Sequence, residues 1–357
     1  MSKKVILPII IGALILIVIL VYFSLSLFTP RADRPRLLWR YETGGAIFSK
    51  PAIYEGLVYF GSYDGYLYAL DVETGKEKWK FHTGDITVSS PLIINETVYI
   101  GTWARHLIAF NALTGQEKWR FYTGRRGILS TPYFDNRVLF FGSGDGFIHA
   151  LDAKTGEERW KFNTESEGAG SPIVYEGIVY CGSYEGYLHA IDSITGEEKW
   201  RFGTGDMIGS TPAILDDIIY FGSFDGHLYA VDRKTGVMKW RLLIGDRVNS
   251  SPLVSEGIIY IGSGDGHLYA VMATTGKVEW KFKTDKEVLS SPMLYEGDIY
   301  FGSFDGHLYV LDAKSGIERW RFRTRGGVDS SPKVYEGVVY FGSWDNHLYA
   351  VEIPKKP

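Results

Sequence analysis

The fold is decided by a unit first seen as SKPAIYEGLVYFGSYDGYLYALDVETGKEKWKF, residues 49–81. It contains four short candidate strands, at 49–54, 57–62, 66–71 and 76–81, separated by Glu-Gly, Asp-Gly and Thr-Gly pairs. Turn pairs of this kind between short strands predict antiparallel hairpins. The two middle runs are apolar at successive positions, so we expect them to be covered on both faces. The unit therefore predicts a four-stranded sheet, with strands A to D in chain order.

The unit recurs along the chain at a nearly constant interval. Its tryptophan returns every 40 residues, once after 41, and a Gly-Ser or Gly-Thr pair recurs in step. A fixed period near 40 predicts a repeat architecture, and four-stranded sheets that stack on similar neighbours are the blades of a β-propeller. The recurring tryptophans, which we expect to be structural, are Trp39, Trp79, Trp119, Trp160, Trp200, Trp240, Trp280 and Trp320.

The first and last units are incomplete in complementary ways. The last unit stops before its tryptophan, whereas Trp39 precedes the first complete unit. We therefore predict that residues 36–42 form strand D of the last blade, beside the C-terminal strand. Such closure removes sheet edges that would otherwise pair with other chains. The expected fold is all-β, an eight-bladed propeller of four-stranded antiparallel blades over residues 36–353.

The C–D segments resemble a known family repeat. They read ALDVETGKEKW at 69–79, ALDAKTGEERW at 150–160 and AIDSITGEEKW at 190–200, with Met272 in place of the usual Asp in one unit. This pattern is similar to the tryptophan-docking motif of the quinoprotein-type, or PQQ-like, β-propeller repeat. The resemblance implies that each tryptophan packs between its own blade and the next. The Asp and Thr of the motif also suit hydrogen bonds within the turn.

The resemblance leaves more than one function open. Some members are dehydrogenases that hold pyrroloquinoline quinone and calcium on the propeller axis, and they carry long blade insertions and often a vicinal Cys pair. Others are binding scaffolds of the BamB type, which assemble outer-membrane proteins and carry a lipidated Cys near the N-terminus. Here the blades are uniform and the single cysteine is Cys181, in strand B of a blade. We expect no cofactor and no catalytic residues.

The N-terminal segment predicts a membrane anchor. Residues 5–28 are apolar and uncharged, long enough to span a bilayer, and follow Lys3 and Lys4. The cleaved signal peptide is the alternative, but its apolar core is shorter and ends at a small-x-small site. We predict a cytoplasmic tail at 1–4, a single-pass anchor at 5–28 and a linker at 29–35. The propeller is expected on the extracytoplasmic side, because long domains translocate largely regardless of flanking charge.

Composition narrows the chemistry further. The formal net charge is -4, so there is no basic footprint for nucleic acid. One cysteine excludes an internal disulfide and a thiolate metal cluster. His227, His267, His307 and His347 occupy equivalent places on successive blades, so their side chains need not converge on one metal. The acidic residues of the Asp-Gly turns are favoured by the turn itself. We expect no metal site.

Variation among the units points to one face as the recognition surface. Alternation of strand direction places the D–A and B–C loops on one face, the top, and the A–B and C–D turns on the other, the bottom. The bottom turns repeat almost unchanged, whereas the top loops differ. The only change in the Trp-to-Pro interval falls between Trp119 and Pro132, beside an arginine pair. The predicted binding residues are Tyr63, Trp103, Arg105, Arg125, Arg126 and Trp344.

These observations predict a non-catalytic, membrane-anchored scaffold that binds a protein at the cell envelope or surface. The anchor joins the bottom face through a short linker, so the top face and its partner are expected to point away from the bilayer. Tryptophan, tyrosine and arginine are favoured interface anchors. The alternatives are a quinone-dependent dehydrogenase and a glycan-binding propeller. The propeller itself is expected to be monomeric.

Overall fold

The computed structural model describes residues 34–355 and consists of short strands joined by tight turns. Blades 1 to 4 contain β2 (Ala52–Tyr54), β3 (Leu57–Gly61), β4 (Tyr66–Asp71), β5 (Glu77–His82), β6 (Leu92–Ile94), β7 (Thr97–Gly101), β8 (His106–Asn111), β9 (Glu117–Tyr122), β10 (Tyr133–Asp135), β11 (Val138–Gly142), β12 (Phe147–Asp152), β13 (Glu158–Asn163), β14 (Ile173–Tyr175), β15 (Ile178–Gly182), β16 (Tyr187–Asp192) and β17 (Glu198–Gly203). Blades 5 to 8 contain β18 (Ala213–Leu215), β19 (Ile218–Gly222), β20 (His227–Asp232), β21 (Met238–Leu243), β22 (Leu253–Ser255), β23 (Ile258–Gly262), β24 (His267–Met272), β25 (Val278–Lys283), β26 (Met293–Tyr295), β27 (Asp298–Ser303), β28 (His307–Asp312), β29 (Glu318–Arg323), β30 (Lys333–Tyr335), β31 (Val338–Gly342), β32 (His347–Glu352) and β1 (Arg36–Glu42).

The strands form eight antiparallel sheets of four, so the predicted eight-bladed propeller is confirmed. Seven sheets are built from consecutive strands, and the eighth has the order β1-β32-β31-β30. In that sheet Trp39 lies opposite Ala350 and Glu42 opposite His347, with a bulge at Leu38. The first and last strands of the described residues therefore complete one blade together and close the ring.

Burial follows the apolar pattern of the unit. In blade 1 all five residues of β3 are buried, and in β4 only the two end residues are partly exposed. The outermost strand β5 alternates between exposed and half-buried positions. Each apolar cluster joins the B and C strands of two neighbouring blades, as where Val58 and Phe60 of blade 1 pack with Tyr340 and Leu348 of blade 8. The core is thus a ring of interfaces between blades.

At six of these interfaces, a tryptophan and a tyrosine donate to one carbonyl at the bottom of the following blade. The Trp79 indole and the Tyr59 hydroxyl of blade 1 both donate to the Ala112 carbonyl of blade 2, at 2.9 Å and 3.0 Å. At the closure the two donors come from opposite ends of the sequence. Trp39 and Tyr340 both donate to the Val72 carbonyl, at 2.9 Å and 3.2 Å. The shared blade therefore contacts blade 1 as a single unit.

The inner strand is shorter than the sequence predicts. The predicted run at 49–54 narrows to Ala52–Tyr54. Pro51 lacks an amide hydrogen, and the Ser49 hydroxyl takes the place of a backbone ladder. Its oxygen donates to the Gly61 carbonyl at 3.0 Å and accepts from the Gly61 amide at 2.9 Å. Strand D begins and ends one residue later than predicted, at Glu77–His82.

The predicted anchor at 5–28, the tail at 1–4 and most of the linker at 29–35 lie outside the described residues. Within residues 34–355, no helix has the length and apolar character needed to cross a membrane.

Candidate functional site

The two faces are arranged by backbone hydrogen bonds between loops. At the top, the Tyr63 amide of a B–C turn donates to the Ala46 carbonyl of the preceding D–A loop at 3.0 Å. At the bottom, the Val72 amide donates to the Gly56 carbonyl at 3.0 Å, which joins the C–D and A–B turns. The B–C turns and D–A loops therefore share one face, and the predicted binding residues all belong to that face.

The aspartates of the B–C turns are held against their own blades by hydrogen bonds. The Asp225 carboxylate accepts hydrogen bonds from the Tyr229 hydroxyl at 2.6 Å, the Gly205 amide at 2.8 Å and the His227 amide at 3.0 Å. Burial alone would raise the pKa of Asp225, but these donors outweigh burial and hold the pKa below its usual value. The same Tyr–Asp bond joins Tyr68–Asp64, Tyr269–Asp265, Tyr309–Asp305 and Tyr349–Asp345.

The histidines are distributed around the ring. The ring nitrogen of His307 lies 3.1 Å from the carboxylate of Asp305 in its own turn, and His227 has the same arrangement with Asp225. In strand C, buried His189 lies 2.7 Å from Glu198. Burial nevertheless keeps the pKa of His189 below its ordinary value. Within residues 34–355 no three His, Cys, Asp or Glu side chains come together in a group able to hold a metal ion.

Two of the predicted binding residues meet in an aromatic strip on the top face. The Phe48 ring lies 4.5 Å from the Tyr63 ring and 4.8 Å from the Trp344 ring, between centroids. Trp344 in turn lies 5.4 Å from Phe304. We call Phe48, Tyr63, Phe304 and Trp344 the aromatic strip. Trp344 is 47% exposed and Tyr63 41% exposed, so the strip presents apolar surface to solvent across blades 7, 8 and 1.

The aromatic strip differs in membership from the predicted set of binding residues. Trp103 is equally exposed, at 47%, but it lies one blade beyond Tyr63 and contributes no ring contact to the strip. Phe48 occupies a D–A loop and Phe304 a B–C turn, and neither was predicted. The sequence signal that could have identified Phe48 is the residue that follows the buried apolar residue of each D–A loop. This residue is Phe48 in one loop and Asn249 or Asp329 in others.

The predicted arginines are engaged near their own loops. The Arg105 guanidinium lies 5.3 Å from the Tyr122 ring centroid and donates to the Gly124 carbonyl at 3.0 Å. Arg126 forms an ion pair with Glu167 of the next loop at 3.0 Å. Arg125 lies in the same extended D–A loop and is exposed. These residues stay within blades 2 and 3, and the structure does not join them to the aromatic strip.

The D–A loop after blade 3 is also rearranged, although its total length follows the repeat. Between Thr164 and Ala169 it has one residue more than the loop between Thr83 and Thr87, and between Ala169 and Pro172 it has one fewer. The Trp-to-Pro interval is therefore unchanged. The Gly170 amide donates to the Gly182 carbonyl at 2.8 Å, where other blades use a serine hydroxyl. The D–A loops after blades 2 and 3 therefore both depart from the repeat, although the Trp-to-Pro interval changes only in the first.

A channel of about 290 Å³ runs along the axis and is lined mainly by hydroxyl groups. The residue before each proline stands in this ring, where the Lys50 amide donates to the Ser90 hydroxyl at 3.0 Å and Thr131 to Ser171 at 2.9 Å. Lys50 is the basic member of the ring. Its side chain faces the channel, yet enclosure by the walls, followed by the charge of Lys333, lowers the pKa of Lys50.

The channel does not suit the quinone cofactor that the dehydrogenase branch of the resemblance implies. Calcium takes about six to eight oxygen ligands, including carboxylate and amide oxygens that converge on one point. The ring here presents serine and threonine hydroxyls and the Lys50 ammonium group. No cluster of carboxylates among residues 34–355 supplies the ligands for that ion. The described residues therefore do not fit pyrroloquinoline quinone with calcium.

Asp329 is an acidic group beside the aromatic strip. Burial, followed by the charge of Glu287, raises the pKa of Asp329 to about 6, although Arg247 opposes the shift. Its charge also contributes to the raised pKa of Tyr63, so it lies close to the strip. Arg247 and Glu287 pair with each other at 2.8 Å. Asp329 therefore binds a proton more readily than an exposed aspartate does.

Solved structures with the same architecture have diverse origins. The computationally designed Ika8 protein superposes with a TM-score of 0.79 at 19% identity, covering 89% of this chain and 100% of the other. BamB from Moraxella catarrhalis superposes with a TM-score of 0.75 at 21% identity, covering 89% of this chain and 100% of the other. Quinohemoprotein alcohol dehydrogenase from Comamonas testosteroni superposes with a TM-score of 0.78 at 16% identity, covering 91% of this chain and 77% of the other. At these identities the likeness concerns the fold.

Comparison with protein families is more specific. A search of curated proteins finds no match. The family model described as outer membrane protein assembly factor BamB matches residues 31–127, 104–251 and 225–355, which together span the whole propeller. The repeat motif, the eight blades and this match agree, and the chain belongs to the BamB-type family of PQQ-like β-propellers.

Proposed function

We propose that the protein is a non-catalytic scaffold that binds another protein through the top face of its propeller. The observation that carries this proposal is the aromatic strip, in which Trp344 and Tyr63 remain about half exposed although they touch other aromatic rings. Exposed aromatic clusters are typical of interfaces, because they bury large apolar area when a partner docks. The family match favours the same kind of function.

The proposal includes a single-pass anchor at residues 5–28, with the propeller on the extracytoplasmic side. Because β1 starts at Arg36 on the bottom face, that face is expected to lie near the bilayer. Its C–D turns expose apolar side chains that suit a membrane interface, with Ile194 85% and Ile317 67% exposed. The top face then points toward a partner, and closure of the ring leaves the propeller monomeric.

The test is site-specific photocrosslinking of the full-length protein in native membranes. A benzophenone amino acid replaces Trp344 on the top face, and a matched variant carries it at Lys314, which is exposed in a bottom turn. We expect a discrete adduct from position 344 that protease digestion removes, and no such adduct from position 314. Equal adducts from both positions, or none from position 344, would overturn the proposal.

The same adduct separates protein binding from glycan binding. An adduct that survives protease but is removed by glycosidases would assign the aromatic strip to a sugar ligand instead. Identification by mass spectrometry should give peptides of one protein, enriched at position 344 relative to position 314. The variant Trp344→Ala should lose the partner in co-purification while keeping its melting temperature.

A further inference from the structure

A basic groove lies on the outer side of the ring, between β29 of blade 7 and β1 of blade 8. Its volume is about 720 Å³, with Phe322 and Tyr349 in its wall. Four basic side chains line it: Arg40, Lys286, Arg323 and Arg325. We call the cavity with these four residues the basic groove. All four are exposed, and among residues 34–355 none of them forms an ion pair with a carboxylate.

The neighbouring arginines show that this lack of pairing is local. Arg319 and Arg321 lie just below on the same strand and pair with Asp312 and Glu318, the latter at 3.2 Å. The one carboxylate in the groove, Asp305, is 4% exposed and faces inward. It accepts hydrogen bonds from the Tyr309 hydroxyl at 2.7 Å and the His307 amide at 3.0 Å. The groove therefore presents uncompensated positive charge.

The repeat itself supplies a comparison for this groove. The position of Arg325 is Gly, Glu or Asp in the seven other units, and the position of Arg323 is Lys or Arg elsewhere only at Lys283. Packing of the propeller therefore does not require these cations. Arg40 follows the repeat, because its position is Lys or Arg in every unit. The extra positive charge of this groove therefore comes from Arg323 and Arg325 and is specific to this junction.

The groove is continuous with the aromatic strip. Phe304 lines the groove, and its ring lies 5.4 Å from Trp344, the central ring of the strip. The Gly327 backbone lies against Phe304 and continues from Arg325. A chain crossing this region would meet aromatic rings over blades 8 and 1 and then arginines on the side of blade 7.

We infer that this composite surface binds an acidic polypeptide segment of the partner, with apolar residues on the aromatic strip and carboxylates in the basic groove. The inference rests on the proposed function and specifies its partner. Arginine guanidinium groups bind carboxylates through paired hydrogen bonds. Arginine is therefore favoured over lysine at sites that bind carboxylates. The net charge of the whole chain is -4, which disfavours a long uniform polyanion and favours a short acidic segment with local complementarity.

The test uses full-length protein in a neutral detergent and fluorescein-labelled peptides measured by fluorescence anisotropy. The first peptide has about ten residues, alternating Glu with Phe and Leu, and extends over at most roughly 35 Å. A second peptide replaces every Glu by Lys. We expect the acidic peptide to bind, the basic peptide not to bind, and added salt to weaken binding because it screens exposed charges.

The decisive variant is Arg323→Glu with Arg325→Glu. Loss of two attractive contacts and gain of two repulsive ones should lower the affinity for the acidic peptide by about tenfold or more. The control, Lys76→Glu with Lys314→Glu, changes net charge equally on exposed bottom turns and should stay within about twofold. Both variants should keep the parent melting temperature. Equal binding of the acidic and basic peptides, or equal affinity of the groove variant and its control, would overturn the inference.

The two proposals fail in different experiments. The peptide assay does not require the native partner, so it reports on the groove even if crosslinking at position 344 captures nothing. Conversely, a crosslinked protein that is lost in Trp344→Ala but retained unchanged in the groove variant would leave the scaffold function standing. That result would show that the partner is not held by its acidic segment.

Discussion

The bottom face and the top face of the ring are made by the same strands but follow the repeat to different degrees. At the bottom, the Thr74 amide and hydroxyl both bind the Asp71 carboxylate, at 2.9 Å and 2.8 Å, and the arrangement recurs in Asp232 and Thr235. At the top, the position of Tyr63 is occupied by Trp, Gly or Phe in other blades. Residues that contact the next blade are thus fixed by packing, whereas exposed positions are left to recognition.

The strongest test of this comparison uses one tryptophan from each face. Trp39→Ala removes a half-buried ring that packs on Gly75 and donates to the Val72 carbonyl across the closure. We expect a loss of roughly 3 kcal/mol in the free energy of unfolding, measured by denaturant titration. Trp103→Ala, on the top face, should change it by no more than about 0.5 kcal/mol.

Equal losses for the two tryptophan variants would contradict the assignment of packing to one face and recognition to the other. A small loss for Trp39→Ala alone would show that β1 adds little to the closed ring. In that case blade 8 would be stable with three strands, and the shared contacts of Trp39 and Tyr340 with Val72 would be incidental.

The sequence predicted most of the bottom face because its residues act at fixed offsets within one unit. The tryptophan, the Thr-Gly turn and the buried middle strands all follow from one periodic pattern. It also predicted that residues 36–42 complete the last blade, because two partial units add to one. It did not predict that Tyr59 and Trp79 share a carbonyl of the next blade, since that depends on how neighbouring sheets rotate.

The top face was less predictable for physical reasons. The aromatic strip combines Phe48 with Trp344, which are far apart in sequence and meet only after closure. The basic groove likewise brings Arg40 beside Arg323 through the same closure. Arg125 and Arg126 were predicted as binding residues because their loop changes length, yet Arg126 pairs with Glu167. Irregular loop length identified variation, but contacts across the ring determined which variable residues came together.

A second, smaller effect should distinguish two glycines with similar backbone conformation. Gly115 has φ +70° and a Cβ there would lie 2.7 Å from the Trp79 ring, whereas Gly257 has φ +76° and nothing within 4 Å. Both changes to alanine incur backbone strain of about 1–2 kcal/mol. Only Gly115→Ala also crowds the tryptophan, which should add about 1–3 kcal/mol. Thermal unfolding of both variants gives the difference.

The backbone contribution is similar in the two variants, so their difference isolates contact between blades. If Gly115→Ala and Gly257→Ala lowered stability equally, the tryptophan would have room to move, and the bottom interface would be less constrained than the geometry indicates. If Gly257→Ala were the more damaging, the A–B turn would carry the larger constraint.

The last prediction concerns Asp329 and depends on pH. Its pKa is raised from 3.8 to about 6, so the folded protein binds a proton more tightly than the unfolded chain does. Stability contributed by the protonated form is therefore lost as pH rises from about 4 to 6. Asp329→Asn removes this loss, so its melting temperature should exceed the parent value at pH 7.5, and the difference should shrink toward pH 4.

Asp225→Asn serves as the opposite control, because hydrogen bonds lower the pKa of Asp225 in the folded state. Its carboxylate stabilises the fold above the unfolded pKa, so this variant should melt below the parent at pH 7.5 and approach it in acid. Both acids belong to the top face, yet one is part of a turn and the other lies beside the strip. If both variants shifted the melting temperature in the same direction, the contrast between structural acids and the acid near the binding surface would not hold.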